Sequence, residues 1–162
     1  TAMSSNIAQN GGAVYNQNGN VFLRDTAEFT SNTATEKGGA VFNLGVFATS
    51  DISGTDEFTG TVNFTSNTAK NGGAIYQDAK TAQLHLKNAT FDQNKATVGS
   101  GGAIYNKATI EFAEGSDATF TGNSASGMGG AIYNSTNSTI NTITGDFINN
   151  YAYYFVVSNY LI

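Results

Sequence analysis

The stretch GGAVYN at Gly11–Asn16 decides how this chain is read, because near-copies return as GGAVFN at Gly38–Asn43, GGAIYQ at Gly72–Gln77, GGAIYN at Gly101–Asn106 and GGAIYN at Gly129–Asn134. The copies begin 27, 34, 29 and 28 residues apart. A period in that range points to a repeat architecture in which each unit buries its apolar face only by stacking on its neighbours.

A second signal keeps the same beat. FTSN at Phe29–Asn32 and Phe64–Asn67, FDQN at Phe91–Asn94, FTGN at Phe120–Asn123 and FINN at Phe147–Asn150 alternate with the glycine motif, and MSSN at Met3–Asn6 is a weaker copy. Each unit also carries a third short run, such as NVFLRD at Asn20–Asp25, AQLHLK at Ala82–Lys87, ATIEFA at Ala108–Ala113 and STINTI at Ser138–Ile143. These runs alternate apolar and polar residues, the period of a half-buried strand.

Three short strands and three turns per unit of about 28 residues, without helical periodicity, describe an all-β parallel β-helix, or β-solenoid. About five coils at ~4.8 Å each predict a rod core about 25 Å long. Residues 1–150 form the repeat array, with an insertion at Ala48–Gly60 that should bulge as a surface loop.

Stacked coils explain why the letters recur. Phe29, Phe64, Phe91, Phe120 and Phe147 are expected to form an internal aromatic column with Met3 at its end, each large side chain contributing about 1.5–3 kcal/mol by burial. Asn32, Asn67, Asn94, Asn123 and Asn150, with Asn6, are expected at corners, tolerating left-handed backbone and bonding their amides to the copies above and below. The glycine pairs relieve crowding where the chain turns into a strand. Alternation within GGAIY puts Val14, Val41, Ile75, Ile104 and Ile132 inward. It puts the alanines outward with Tyr15, Phe42, Tyr76, Tyr105 and Tyr133, an aromatic stripe that is either a lateral contact surface or is covered by neighbouring side chains or a second chain.

Composition narrows the function. Charged residues are 12% of the chain, against about 25% in ordinary domains, and the seven basic residues are scattered singly, which argues against a nucleic-acid partner. Cys is absent, so disulfides and thiolate metal sites are impossible. Pro is absent as well, which suits a chain whose backbone N–H groups nearly all enter ladders. No apolar run approaches 18 residues, so no transmembrane helix is expected, and without a signal peptide Thr1 reads as a processed or excised start.

No cofactor or metal is expected. Asp25, Asp51, Asp56, Asp78, Asp92, Asp117, Asp146, Glu28, Glu36, Glu57, Glu111 and Glu114 do not recur in register. Asp25 with Glu28, and Glu111 with Glu114 and Asp117, read as solvated edges. The sole histidine, His85, alternates with Leu84 and Leu86 and is expected to face outward without companion ligands.

The pairing of GGA[I/V] with FxxN, five clear times each across about residues 3–150, resembles the repeat of the chlamydial polymorphic outer membrane proteins and related bacterial β-helix autotransporter passengers. That resemblance implies a right-handed β-helix, export, display at the bacterial cell surface, and an adhesive or structural role without enzymatic activity. Such passengers are normally joined to a C-terminal outer-membrane barrel, whose strands cannot fit in the remaining residues.

Those residues, YAYYFVVSNYLI at Tyr151–Ile162, carry no charge and are rich in Tyr and β-branched side chains. With the motif starting at Met3 there is little room for an N-terminal cap. Tyr151, Tyr153, Tyr154, Phe155, Val156, Val157, Tyr160, Leu161 and Ile162 are therefore expected either to cap their own last coil or to dock on a second copy. The second case gives a head-to-tail homopolymer, an extracellular fibre. The alternatives are a monomeric adhesin binding a host receptor or glycan through its lateral face and, with less support, a polysaccharide-active β-helix enzyme.

Overall fold

The computed structural model describes residues 1–23, 25–49 and 60–154. Among them there is no helix, and every strand pairing is parallel. The chain winds through four narrow sheets in turn, and successive coils add one strand to each.

The first sheet contains the FxxN phenylalanines: Ala2–Ser4, Ala27–Thr30, Val62–Thr65, Ala89–Asp92, Thr119–Thr121 and Asp146–Ile148. Its register sets Met3 on Phe29, Phe29 on Phe64, Phe64 on Phe91, Phe91 on Phe120 and Phe120 on Phe147. The rings stack at centroid spacings of 4.7, 4.7, 4.6 and 4.6 Å, with interplanar angles of 10°, 4°, 3° and 5°. Parallel in-register strands fix that spacing, so the rings meet face to face at the coil pitch. Facing them across the core are Ile75, Ile104, Leu84 and Ile110, all fully buried, and Phe47, whose ring tilts against Phe29 and Phe64.

Each coil holds four strands where three are expected from the sequence. The additional sheet follows the asparagine corner: Ile7–Asn10, Thr33–Lys37, Thr68–Ala69, Lys95–Ala96, Ser124–Ala125 and Tyr151–Ala152. Several of these strands are two residues long, too short to show alternation. Their sequence mark is an alanine two places after each asparagine. Ala34, Ala69, Ala96 and Ala125 are buried there, because the wall beside the phenylalanine column has no room for a larger side chain. The same mark occurs in Asn150-Tyr151-Ala152, so the strand Tyr151–Ala152 continues the solenoid, pairing in register with Ser124–Ala125.

Asn32, Asn67, Asn94 and Asn123 are buried, and each ties its own coil to the coils on either side. Asn94 donates its backbone N–H and its Nδ2 to Oδ1 of Asn123 at 3.0 and 2.9 Å, and its Nδ2 also donates to the Phe64 carbonyl at 2.9 Å. Its own Oδ1 accepts the backbone N–H and Nδ2 of Asn67, both at 3.0 Å. The same set recurs at Asn32, Asn67 and Asn123. The left-handed residue at this corner is the one before the asparagine: Ser5, Ser31, Ser66, Gln93, Gly122 and Asn149 have φ between 53° and 61°. The expectation that asparagine itself takes the left-handed conformation is thereby corrected. A corner that turns one residue earlier aims the amide into the wall.

The two glycines of each pair serve different ends. The first is left-handed, as at Gly38 with φ 63°. The second is required by proximity, since a Cβ on Gly102 would land on the Gly130 carbonyl oxygen of the next coil. Of the insertion expected at Ala48–Gly60, residues 50–59 lie outside the described residues. At its start, Thr49 donates its hydroxyl to the Lys87 carbonyl and accepts the Lys87 N–H, both at 2.9 Å.

Removing one ring tests the column. Phe91→Ala is expected to lower stability by about 3–5 kcal/mol, and Phe147→Ala, at a half-buried position, by roughly half as much. Chemical denaturation followed by far-UV circular dichroism measures both, and equal losses would contradict a stack packed most tightly at its middle.

Candidate functional site

The aromatic stripe lies on the third sheet, made of Val14–Asn16, Val41–Asn43, Ile75–Gln77, Ile104–Asn106 and Ile132–Asn134. In each three-residue strand the first and third side chains point into the core and the middle one points out. Val41, Ile75 and Ile104 are completely buried. The alanines before them do not share the outer face. The N–H groups of Ala40 and Val41 both donate to the Ala74 carbonyl at 2.9 Å, a corner that interrupts alternation and buries Ala40, Ala74, Ala103 and Ala131.

The third residue of each strand forms a second polar ladder that the sequence reading passed over. Asn16 Nδ2 donates to Asn43 Oδ1 at 2.8 Å, Asn43 Nδ2 to Gln77 Oε1 at 3.1 Å, Gln77 Nε2 to Asn106 Oδ1 at 2.9 Å, and Asn106 Nδ2 to Asn134 Oδ1 at 2.8 Å. Its signal was the sixth letter of the opening motif, always Asn or Gln.

Outside, the rings stack from coil to coil. Centroids are 5.0 Å apart for Tyr15–Phe42, 5.8 Å for Phe42–Tyr76, 4.5 Å for Tyr76–Tyr105 and 4.7 Å for Tyr105–Tyr133. The first three pairs are near parallel, and the last is tilted by 49°. The ring faces are thus spent on one another, and the stripe presents edges and hydroxyls to its surroundings.

The middle of the stripe is covered. Phe42 and Tyr76 are 5% and 3% exposed, whereas Tyr15 is 53% exposed and Tyr105 and Tyr133 are intermediate. Lys37, from the glycine-side corner, reaches over Tyr76 with Nζ 4.9 Å from the ring centroid, and Lys107, from the opposite flank, lies 5.6 Å from the same centroid. Both ammonium groups close on Asp78, Lys37 at 3.0 Å to Oδ2 and Lys107 at 3.2 Å to Oδ1. Lys37–Asp78–Lys107 therefore forms a strap across the stripe. These residues are far apart in sequence and belong to no repeated motif, so no pattern in the chain announced them.

Electrostatics follow the geometry. Partial burial alone would raise the Asp78 pKa, but hydrogen bonds from Lys37 and Lys107 and their positive charges outweigh it and bring it below the usual value. Lys107 is pushed up, first by its hydrogen bond with Tyr76 and then by Asp78. Burial, with Tyr76 and Tyr133 close by, pushes the Tyr105 phenol up to about 12, so it is protonated at neutral pH.

Elsewhere, His85 faces outward from the strand Gln83–Leu86, between buried Leu84 and Leu86. Its Nδ1 is 3.1 Å from Glu111 Oε2 and its Nε2 3.2 Å from Gln83 Oε1. Burial lowers its pKa and Glu111 acts in opposition. Among the described residues, no group of three His, Cys, Asp or Glu side chains could hold a metal ion, and no helix is long and apolar enough to cross a membrane. Of the tail residues, Tyr151, Tyr153 and Tyr154 are exposed, and Tyr153 N–H donates to the Ala125 carbonyl at 3.1 Å, still following the preceding coil. Phe155, Val156, Val157, Tyr160, Leu161 and Ile162 lie outside the described residues.

With the coil geometry in hand, comparison with known proteins gives a consistent result. The Chlamydia polymorphic membrane protein repeat matches four times, at residues 26–44, 61–78, 88–107 and 117–135. Each match runs from a phenylalanine strand toward or into the following aromatic strand. The chain is a polymorphic-membrane-protein-like repeat protein. It is 34% identical over 149 residues to the Chlamydia pneumoniae protein named "Probable outer membrane protein pmp6", an alignment covering 80% of this chain and 11% of that relative. The chain thus spans about a ninth of the relative's length. No solved structure matches. The name of the relative agrees with the expectation of an exported protein at the bacterial cell surface.

The strap has a pH signature. A carboxylate whose pKa is lower in the folded state stabilises above its ordinary value, and that contribution is lost as pH falls through the folded value. Wild type is therefore expected to exceed Asp78→Asn in stability by about 0.5–1 kcal/mol near neutral pH, the scale of exposed ion pairs. The gap should close in strong acid, as read from thermal melting across pH. A gap that persists there would contradict an ionic strap.

Proposed function

We propose that this chain is a rod-forming section of an exported bacterial surface protein, non-enzymatic, whose lateral faces make adhesive contact with a host receptor or glycan. The observation that supports this reading is the continuous parallel stacking of all four sheets, interrupted by one register shift between Ile7–Asn10 and Thr33–Lys37. The inward positions are taken up by the phenylalanine column and the two amide ladders, which leaves the outward rows free to vary. Along the aromatic stripe, phenol hydroxyls, the ammonium groups of Lys37 and Lys107 and the flanking Asp78 form a polar, hydrogen-bonding surface over an apolar base. That chemistry suits a hydroxyl-rich saccharide or a polar receptor loop, met through ring edges and hydroxyls.

Beads coated with the purified chain are expected to bind host-cell monolayers, with soluble chain competing. Tyr15→Ser with Tyr133→Ser is expected to weaken binding about tenfold or more, as the loss of aromatic anchors does at other interfaces. Undiminished binding by the variant would move the contact off the stripe, and absence of binding by wild type would remove the adhesive role.

A second reading is head-to-tail stacking of separate chains into a fibre. It is favoured by Tyr151, Tyr153 and Tyr154, which are 50%, 69% and 69% exposed on the last coil. Negative-stain electron microscopy of the chain beside a variant lacking Tyr151–Ile162 decides it. Filaments that vanish on deletion would support the fibre, and discrete rods in both samples would exclude it.

A further inference from the structure

The tyrosine end of the stripe has a geometry that stacking alone does not require. Tyr105 and Tyr133 occupy equivalent positions on adjacent strands, with their Cα atoms paired in register. Their ring centroids are 4.7 Å apart, yet the planes are inclined by 49°, unlike the near-parallel pairs beneath them. Both rings are partly exposed. Two phenols paired in register at this spacing are immediate neighbours, and their inclination departs from a face-to-face stack.

We infer that Tyr105 and Tyr133 form an oxidative cross-linking site, at which a peroxide acting through a one-electron oxidant joins the two rings as a dityrosine that staples adjacent coils. Each phenol gives up one electron and one proton, leaving two phenoxyl radicals. The radicals combine through a new carbon–carbon bond between ortho positions, and the two displaced ortho hydrogens move to oxygen, restoring both hydroxyls. Hydrogen peroxide accepts the two electrons and two protons, its O–O bond breaks, and two molecules of water leave.

Positioning raises the yield. Two radicals held in contact couple as a unimolecular event, ahead of encounters between molecules. The parallel pair Tyr76–Tyr105 is less suited, since its planes differ by 17° and Tyr76 is buried beneath the lysine strap. The chain has no cysteine, so a disulfide cannot supply an inter-coil bond. The inference rests on the stack geometry and not on the adhesive role, although a surface location is where external peroxides would reach it.

The sequence makes the test clean. Cleavage after Lys95 and Lys107 isolates residues 96–107, in which Tyr105 is the sole tyrosine, from residues 108–162, which contain Tyr133. The purified chain is treated with hydrogen peroxide and a peroxidase, and the monomer band is digested with trypsin. The expected product is a linked peptide pair lighter by two hydrogens than its parts, with fragment ions placing the bond at Tyr105 and Tyr133 and with dityrosine fluorescence. Tyr105→Phe is expected to abolish this pair and leave the circular dichroism and melting curve intact, because Phe42 already sits in the stack as a plain phenyl ring. Oxidised monomer lacking the pair would overturn the inference. So would links confined to oligomers through Tyr151, Tyr153 or Tyr154, or a bond to Tyr76 in place of Tyr133.

Discussion

The hydrogen bond from one corner asparagine to the next holds the coils at a fixed spacing, and the remaining ladders depend on that spacing. Each internal amide divides its donors between the coils on either side and turns its oxygen to the preceding one, as Asn94 does toward Phe64, Asn123 and Asn67. A buried amide left without partners costs about 1–3 kcal/mol per group, so the corner cannot slip by a residue or accept an apolar substitute without leaving several groups unpaired. Once the corner is set, the adjoining strand must present its phenylalanine to the one below at stacking distance. Aromatic burial supplies much of the stabilisation, and the amides supply the register that lets it accumulate.

Much of this was legible in the chain, because a stacked fold selects each position once per coil. Phe29, Phe64, Phe91, Phe120 and Phe147 recur where the rings stack, and Asn32, Asn67, Asn94 and Asn123 recur where the amides meet. The fourth sheet was harder to see. Its strands are as short as Thr68–Ala69, and two residues carry no period. The second amide ladder was written into GGAVYN and its copies, but a terminal Asn after an apolar triplet reads as a turn residue until the strand direction is known. The left-handed corner was assigned one residue late for a related reason: asparagine tolerates that conformation, yet its buried side chain needed the preceding residue to turn.

The lysine strap was not legible at all. Lys37 and Asp78 are 41 positions apart and recur in no other coil, so their meeting depends on coil geometry. Repetition reveals what every coil must do and conceals what one coil does alone. The strap, which spans three coils, the tilt between Tyr105 and Tyr133 and the exposed Tyr151 each occur once, and they are where this segment differs chemically from a generic stack.

The near-parallel phenylalanine rings carry a consequence for the shape of the surface. Interplanar angles of 3° to 10° along the column leave little torsion between successive coils. An ordinary sheet twists by roughly 20–25° per strand, which would carry a row of side chains around the axis within a few strands. Here the inner phenylalanine row keeps its line, and outward residues paired in the same registers repeat once per coil, as marks on a ruler. A ligand with regularly spaced groups, or a row of identical receptors, could meet several marks along one line, so weak single contacts would combine through avidity. Lengthening such a rod would add marks without turning the earlier ones out of reach.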